Sequence, residues 1–209
     1  MVDLQELSAA IEVGDRATAT RLTREALDGG VPPATILDAM TGAMGVVGRK
    51  FQDNEIFVPE MLISARAMKE ATAILEPVLV EAGIRPEFTA VVGTVEGDLH
   101  DIGKNLVGMM LKGAAIEVVD LGVNVTADRF VEAAREHDAR LIGLSALLTT
   151  TMPNMRKVVE AIKAAGVDAK VMIGGAPTTP EFAAQIGADG YAPDAGAAVD
   201  LAKALLESK

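Results

Sequence analysis

Asp98 and His100 stand two residues apart in the stretch Glu96-Gly97-Asp98-Leu99-His100-Asp101-Ile102-Gly103-Lys104-Asn105. At that spacing a carboxylate can accept the N–H of one imidazole nitrogen and leave the other nitrogen free to bind a metal. Such a partner fixes the ring tautomer and strengthens the donor nitrogen. Gly97 lets the backbone turn sharply, and Gly103 lets a helix or a bulky ligand approach closely. The chain has two histidines, His100 and His137, and no cysteine. Zinc and iron sites ordinarily draw several His, Cys or carboxylate ligands from the protein, so a protein-built cage is hard to assemble around His100. The alternative is an ordinary loop imidazole beside an acid.

A cofactor that brings its own equatorial ligands and needs one axial imidazole suits this donor set better. Haem and cobalamin both meet that requirement. Two other segments bear on the choice, Leu144-Ser145-Ala146-Leu147-Leu148-Thr149-Thr150-Thr151 and Ile173-Gly174-Gly175-Ala176-Pro177-Thr178. Small and hydroxylated residues at successive strand ends leave a slot into which a long, flat ligand part could slide. The same residues also suit helix caps and a turn.

The elements that must position these groups are legible in the apolar rhythm. Apolar runs at 88–95, 116–121, 140–146, 170–173 and 190–192 alternate with helical stretches at 102–112, 127–137, 153–165, 180–186 and 194–208. Near-continuous apolar strands between helices predict a parallel sheet covered on both faces. The expected fold is α/β, a flavodoxin-like (Rossmann-like) doubly wound five-stranded sheet. In that topology the order reverses between the first and third strands, and ligands enter at their carboxyl ends. Those ends carry the His100 loop and the Ser145 loop.

The preceding half is helical. Leu4, Leu7 and Ile11, then Ala17, Leu22 and Ala26, follow three-and-four spacing. Gly14-Asp15 separates these two helices, and Gly29-Gly30 ends the second. Pro32-Pro33 opens a third through Ile36, Met40, Met44 and Val47. After the polar Gln52-Asp53-Asn54-Glu55 a fourth starts near Pro59 and carries Met61, Leu62, Ala65, Met68, Thr72 and Leu75. Pro77 kinks it or marks its last turns, and Gly83 stops it. The predicted domains are a four-helix up-down bundle over 1–83, a linker over 84–87 and the α/β domain over 88–209.

Composition narrows the function classes. Of 209 residues, 19 are Lys or Arg and 30 Asp or Glu, for a net charge of −11. Such a surface repels phosphate backbones, and no basic stripe offsets it, so nucleic acid is not the expected partner. Aromatic residues are 3% with no Trp, which removes base-stacking platforms. No apolar run is long enough for a membrane span. The N-terminus lacks the basic and apolar regions of a secretory signal. The expected location is cytoplasmic. The 10 methionines are read first as core filler.

Asp98-x-His100-x-x-Gly103, then Ser145-x-Leu147, then Gly174-Gly175, resembles the signature of cobalamin-binding domains that hold the cofactor base-off with histidine on. The helical half, including Phe57-Val58-Pro59-Glu60 and Ser64-Ala65-Arg66-Ala67-Met68, resembles the cap module of cobalamin-dependent methionine synthase and of small corrinoid proteins. The resemblance implies cobalamin or a related corrinoid as cofactor, with His100 as the axial ligand to cobalt and Asp98 hydrogen-bonded to its ring. It implies that Thr151, where methionine synthase has a serine, completes a proton relay. It further implies that Ser145, Leu147, Thr149, Gly174, Gly175 and Ala195 lie along the nucleotide tail. Gly97, Leu99, Asp101 and Gly103 belong to the ligand loop, and Phe51, Val58 and Met61 to a lid over the reactive face.

The family chemistry is methyl carriage: Co(I) takes a methyl group, and methyl-Co(III) hands it on. The chain would carry the cofactor without activating donor or acceptor itself. It would meet a donor-specific methyltransferase, an acceptor methyltransferase acting on tetrahydrofolate or a thiol, and a reductive activator. Methylamine, methanol, betaine and aryl methyl ether donors are all compatible with it. A cobalamin-dependent sensor is the rival reading. It would need an attached helix-turn-helix, whereas this chain begins directly with the bundle, and light sensors place a Trp there. An adenosylcobalamin mutase subunit shares the histidine motif but not the cap. A cofactor-free flavodoxin-like interaction protein would leave His100 merely structural.

Overall fold

The structure, a computed structural model, describes residues 3–84 and 86–207. The expected helix end at Ser208 and the linker residue Arg85 lie outside the described residues. The chain divides into two compact units, Met1–Pro86 with Gly113–Ala115, and Glu87–Lys112 with Ile116–Lys209.

The first unit contains α1 (Leu4–Glu12), α2 (Arg16–Asp28), α3 (Pro33–Gln52) and α4 (Val58–Glu81). Asp3 and Asp15 cap α1 and α2 by accepting the N–H groups of Gln5 and Thr18. Pro33 opens α3, where a missing N–H costs nothing. The apolar stripes meet in a core that includes Leu7, Ile11, Leu22, Ile36, Met40, Met44, Met68 and Leu75, all buried. Four expected stripe members are not among its buried residues: Ala17 and Leu62 are exposed and Leu4 and Thr72 half-buried, while Ala19 takes the buried place in α2. The three-and-four spacing fits two adjacent helix faces there, and tertiary contact selects one. Gly14 is required by packing and by backbone, since its φ is +74° and a Cβ would overlap Ile63. Pro77 falls in the last turns of α4, which runs on to Glu81.

The second unit alternates β1 (Thr89–Thr94), α5 (Ile102–Gly113), β2 (Glu117–Asp120), α6 (Ala127–Glu136), β3 (Leu141–Ser145), α7 (Met152–Ala164), β4 (Lys170–Gly174), α8 (Pro180–Ile186), β5 (Gly190–Ala192) and α9 (Ala195–Glu207). All strand pairs are parallel and the order is β2-β1-β3-β4-β5, the doubly wound arrangement expected. Expected and observed bounds differ by a residue or so at most ends. Val91, Ile142, Val171, Phe130, Met155, Val158 and Ile162 build the core on one face of the sheet. Phe130 sits so close to Gly93 that a Cβ there would approach its ring to 2.7 Å. Seven methionines (40, 44, 61, 68, 110, 155 and 172) are buried, in keeping with the core-filling reading.

Candidate functional site

The order reverses between β1 and β3, so the chain leaves these neighbouring strands in different directions and opens a crevice at their carboxyl ends. Strand register places Thr94, Ser145 and Gly174 side by side along that edge, with Ala192 next to Gly174. The loops after β1, β3 and β4 therefore rise from one line.

Asp98 is the buried centre of this edge, with no exposure. Its Oδ1 faces the His100 Nδ1 at 2.7 Å and accepts the His100 backbone N–H at 3.1 Å. Its Oδ2 accepts the Leu147 N–H at 2.8 Å, the Leu148 N–H at 3.3 Å and the Thr151 hydroxyl at 2.7 Å. Burial alone would raise this carboxyl. The Leu147 N–H, the His100 ring, the Thr151 hydroxyl and the His100 N–H outweigh it and hold the group well below the usual carboxylate range. An ionised carboxylate only accepts, so the facing Nδ1 carries a proton, and in a neutral ring the lone pair then sits on Nε2. The His100 side chain is 52% exposed.

The ligand loop is tied down at several points beyond Asp98. The Thr94 hydroxyl donates to the His100 carbonyl at 2.8 Å. Asn124 accepts the Gly97 N–H, and Asn154 donates to the Glu96 carbonyl. Gly97 itself has φ +83°, a conformation few side chains tolerate. Asp101 turns to Asn105, accepting its side-chain and backbone N–H groups. Lys104, buried in the first turn of α5, reaches Asp120 at the end of β2 and the side chain of Asn105.

Thr94, Asn124 and Asn154 were not anticipated from the sequence. Asn124 follows β2, whose end adjoins β1 in the observed order, so the loop Leu121-Gly122-Val123-Asn124 was the place to look. Asn124 adopts φ +56°, a conformation Asn tolerates better than most residues, so its residue type is the only local trace it leaves.

The remaining expected residues fall into distinct settings. Leu99, Ile102, Leu147 and Leu148 are large apolar side chains left exposed around the His100 loop. Thr149 is exposed, and Ser145 is half-buried at the end of β3. Gly103 has ordinary φ, and a Cβ there would meet nothing within 4 Å. Its smallness therefore serves no contact within the chain and leaves open a place that a side chain would fill. Gly175 is different: φ is +125° and a Cβ would overlap the Ala146 carbonyl, so the approach of two loops already requires it. Ala195 is buried at the start of α9, where Asp194 accepts the Ala197 N–H. Phe51, Val58 and Met61 belong to the helical unit, half-buried, exposed and buried respectively.

Among the described residues no group of three or more His, Asp or Glu side chains could hold a metal ion. The donor set is one oriented imidazole beside apolar surface, which fits a large ligand that carries its own metal. No helix of the described residues is long and apolar enough to cross a membrane.

Residues 88–200 match the family model described as the B12 binding domain, and residues 3–76 match a second model with the same description. A corrinoid protein of Desulfitobacterium hafniense (strain Y51) is 41% identical over 209 residues, 97% of each chain. Dimethylamine corrinoid protein 1 of Methanosarcina acetivorans is 42% identical over 207 residues, also 97% of each. The crystal structure of the methanol:cobalamin methyltransferase complex from Methanosarcina barkeri includes a chain that superposes with a TM-score of 0.87 at 29% identity. That match covers 99% of this chain and 80% of the other.

Proposed function

The chain belongs to the corrinoid proteins with B12-binding domains, and we propose that it carries a methyl group between two methyltransferases on a corrinoid held through His100. When bound, the corrinoid supplies a cobalt that takes up a methyl group in its Co(I) state and yields it to an acceptor.

The observation that carries this reading is the 2.7 Å contact between Asp98 Oδ1 and His100 Nδ1, which leaves Nε2 as the ring nitrogen that Asp98 does not hold. Asp98 holds a proton on Nδ1, which would make Nε2 a stronger donor toward the cobalt of a bound corrinoid. Thr151 completes the relay by holding the far oxygen of Asp98. Ser145, Leu147, Thr149, Gly174, Gly175 and Ala195 line the path of the nucleotide tail, Gly97, Leu99, Asp101 and Gly103 shape the ligand loop, and Phe51, Val58 and Met61 serve the upper face. The proposed domains are a helical domain over 1–83, a linker over 84–87 and a corrinoid-carrying α/β domain over 88–209.

The partners in this reading are a donor-specific methyltransferase, an acceptor methyltransferase and a reductive activator, all in the cytoplasm. Relatives named for dimethylamine favour a methylated amine as the donor class. The test is titration of the purified chain with aquacobalamin, followed by absorbance. Wild type and His137→Ala are expected to bind alike, and His100→Ala to bind at least about tenfold more weakly with a different spectrum. Equal behaviour of the two variants would remove His100 from the role.

A further inference from the structure

Every polar group of His100 except Nε2 has a partner: Nδ1 and the backbone N–H are both held by Asp98 Oδ1, and the carbonyl accepts the Thr94 hydroxyl at 2.8 Å. Thr94 is itself a fixed post. It is the last residue of β1, fully buried, with its N–H bonded to the Gly122 carbonyl and its carbonyl to the Val125 N–H. We propose that Thr94 is a positioning residue for the axial histidine, pinning the His100 main chain to the sheet so that ring ligation requires no ordering of the loop. The inference rests on His100 ligation as proposed above.

The physical argument is one of division of labour. Asp98 sets the ring's tautomer and rotation, but both of its contacts to His100 run from the amino-terminal side of that residue. Without a hold on the carbonyl, the peptide after His100 can pivot, and the ring swings with it. Ordering a free backbone residue at the moment of ligation would cost conformational entropy, which a pre-set loop avoids. His100 is an exposed residue and its carbonyl's bond to Thr94 is part-buried, so removing the hydroxyl costs the fold one hydrogen bond and no packed side chain. The effect should therefore appear in ligation rather than in unfolding.

The experiment compares the full chain as wild type, Thr94→Val and Thr94→Ser, each titrated with aquacobalamin by absorbance and unfolded thermally without cofactor. Thr94→Val keeps the shape and loses the hydroxyl. It is expected to unfold within a few degrees of wild type, bind about three- to tenfold more weakly, and show a mixture of histidine-bound and histidine-free spectra. Thr94→Ser is expected to restore the wild-type spectrum and affinity. If Thr94→Val fails to fold, Thr94→Ala makes the same comparison. A wild type bound through His100 beside a Val variant of equal affinity and spectrum overturns the inference alone, as does a Ser variant that fails like Val. A wild type that binds no cobalamin overturns both this inference and the function it rests on.

Discussion

Thr151 Oγ1 lies 2.7 Å from Asp98 Oδ2, across 53 residues of sequence. Thr151 occupies the N-cap position of α7, where a hydroxyl ordinarily closes the helix by accepting a backbone N–H, yet it makes no such bond. It is drawn off to the buried carboxylate, together with the Leu147 and Leu148 N–H groups. The β3–α7 loop thus serves the β1–α5 loop across the switch point, and the imidazole is oriented by a carboxylate that is itself fixed from the other side.

Thr151→Val removes this donor from a fully buried oxygen. The apoprotein is expected to lose about 1–2 kcal/mol of stability in denaturant unfolding, and Thr151→Ser is expected to recover most of it. A Val variant as stable as wild type would mean that the two backbone N–H groups satisfy Asp98 Oδ2 alone.

Asp98→Asn leaves one accepting oxygen where there were two and turns an NH2 group toward donors. The expected loss is about 2–3 kcal/mol at neutral pH, read from denaturant midpoints. The pH dependence follows from the depressed carboxyl: its contribution is fully present above the unfolded carboxylate range, about 4, and fades as pH falls toward the lower folded value. The gap between wild type and Asn should therefore narrow below about pH 4. A gap constant from neutral pH to acid would contradict an ionised, hydrogen-bonded Asp98.

Gly103 offers a test of the open space. Because nothing within 4 Å meets a Cβ there, Gly103→Leu is expected to leave apoprotein unfolding unchanged or raise its stability by up to about 1 kcal/mol through helix propensity. Cobalamin affinity should fall by at least about tenfold, the steric mark of a ligand using that space. Unaltered affinity would move the ligand away from the first turn of α5.

Much of this was legible in the sequence, because it is written in local patterns. The β–α alternation and Pro33 at a helix start follow from local pattern, while spacing allowed Asp98 to pair with His100 and the family resemblance made that pairing the expected one. The order β2-β1-β3-β4-β5 is that of the flavodoxin-like arrangement which the alternation led us to expect. What spacing could not carry was reach across the fold. Asn124 joins Gly97 from 27 residues away and Asn154 joins Glu96 from 58 away. Neither has a local signature beyond its residue type. Ala17 and Leu62 failed for a related reason, since a periodic apolar residue names a helix face but not the neighbour that covers it.

The central claim is a bond from His100 to cobalt, and electron spin resonance reads it most directly. The cofactor-loaded chain is reduced to Co(II), whose unpaired electron couples to an axial nitrogen nucleus. Protein grown with 14N-histidine should show each cobalt line split into a triplet, and protein grown with 15N-histidine should show doublets. His100→Ala should lose the splitting, while His137→Ala keeps it. Triplets that survive 15N-histidine labelling, or that persist in His100→Ala, would contradict the account.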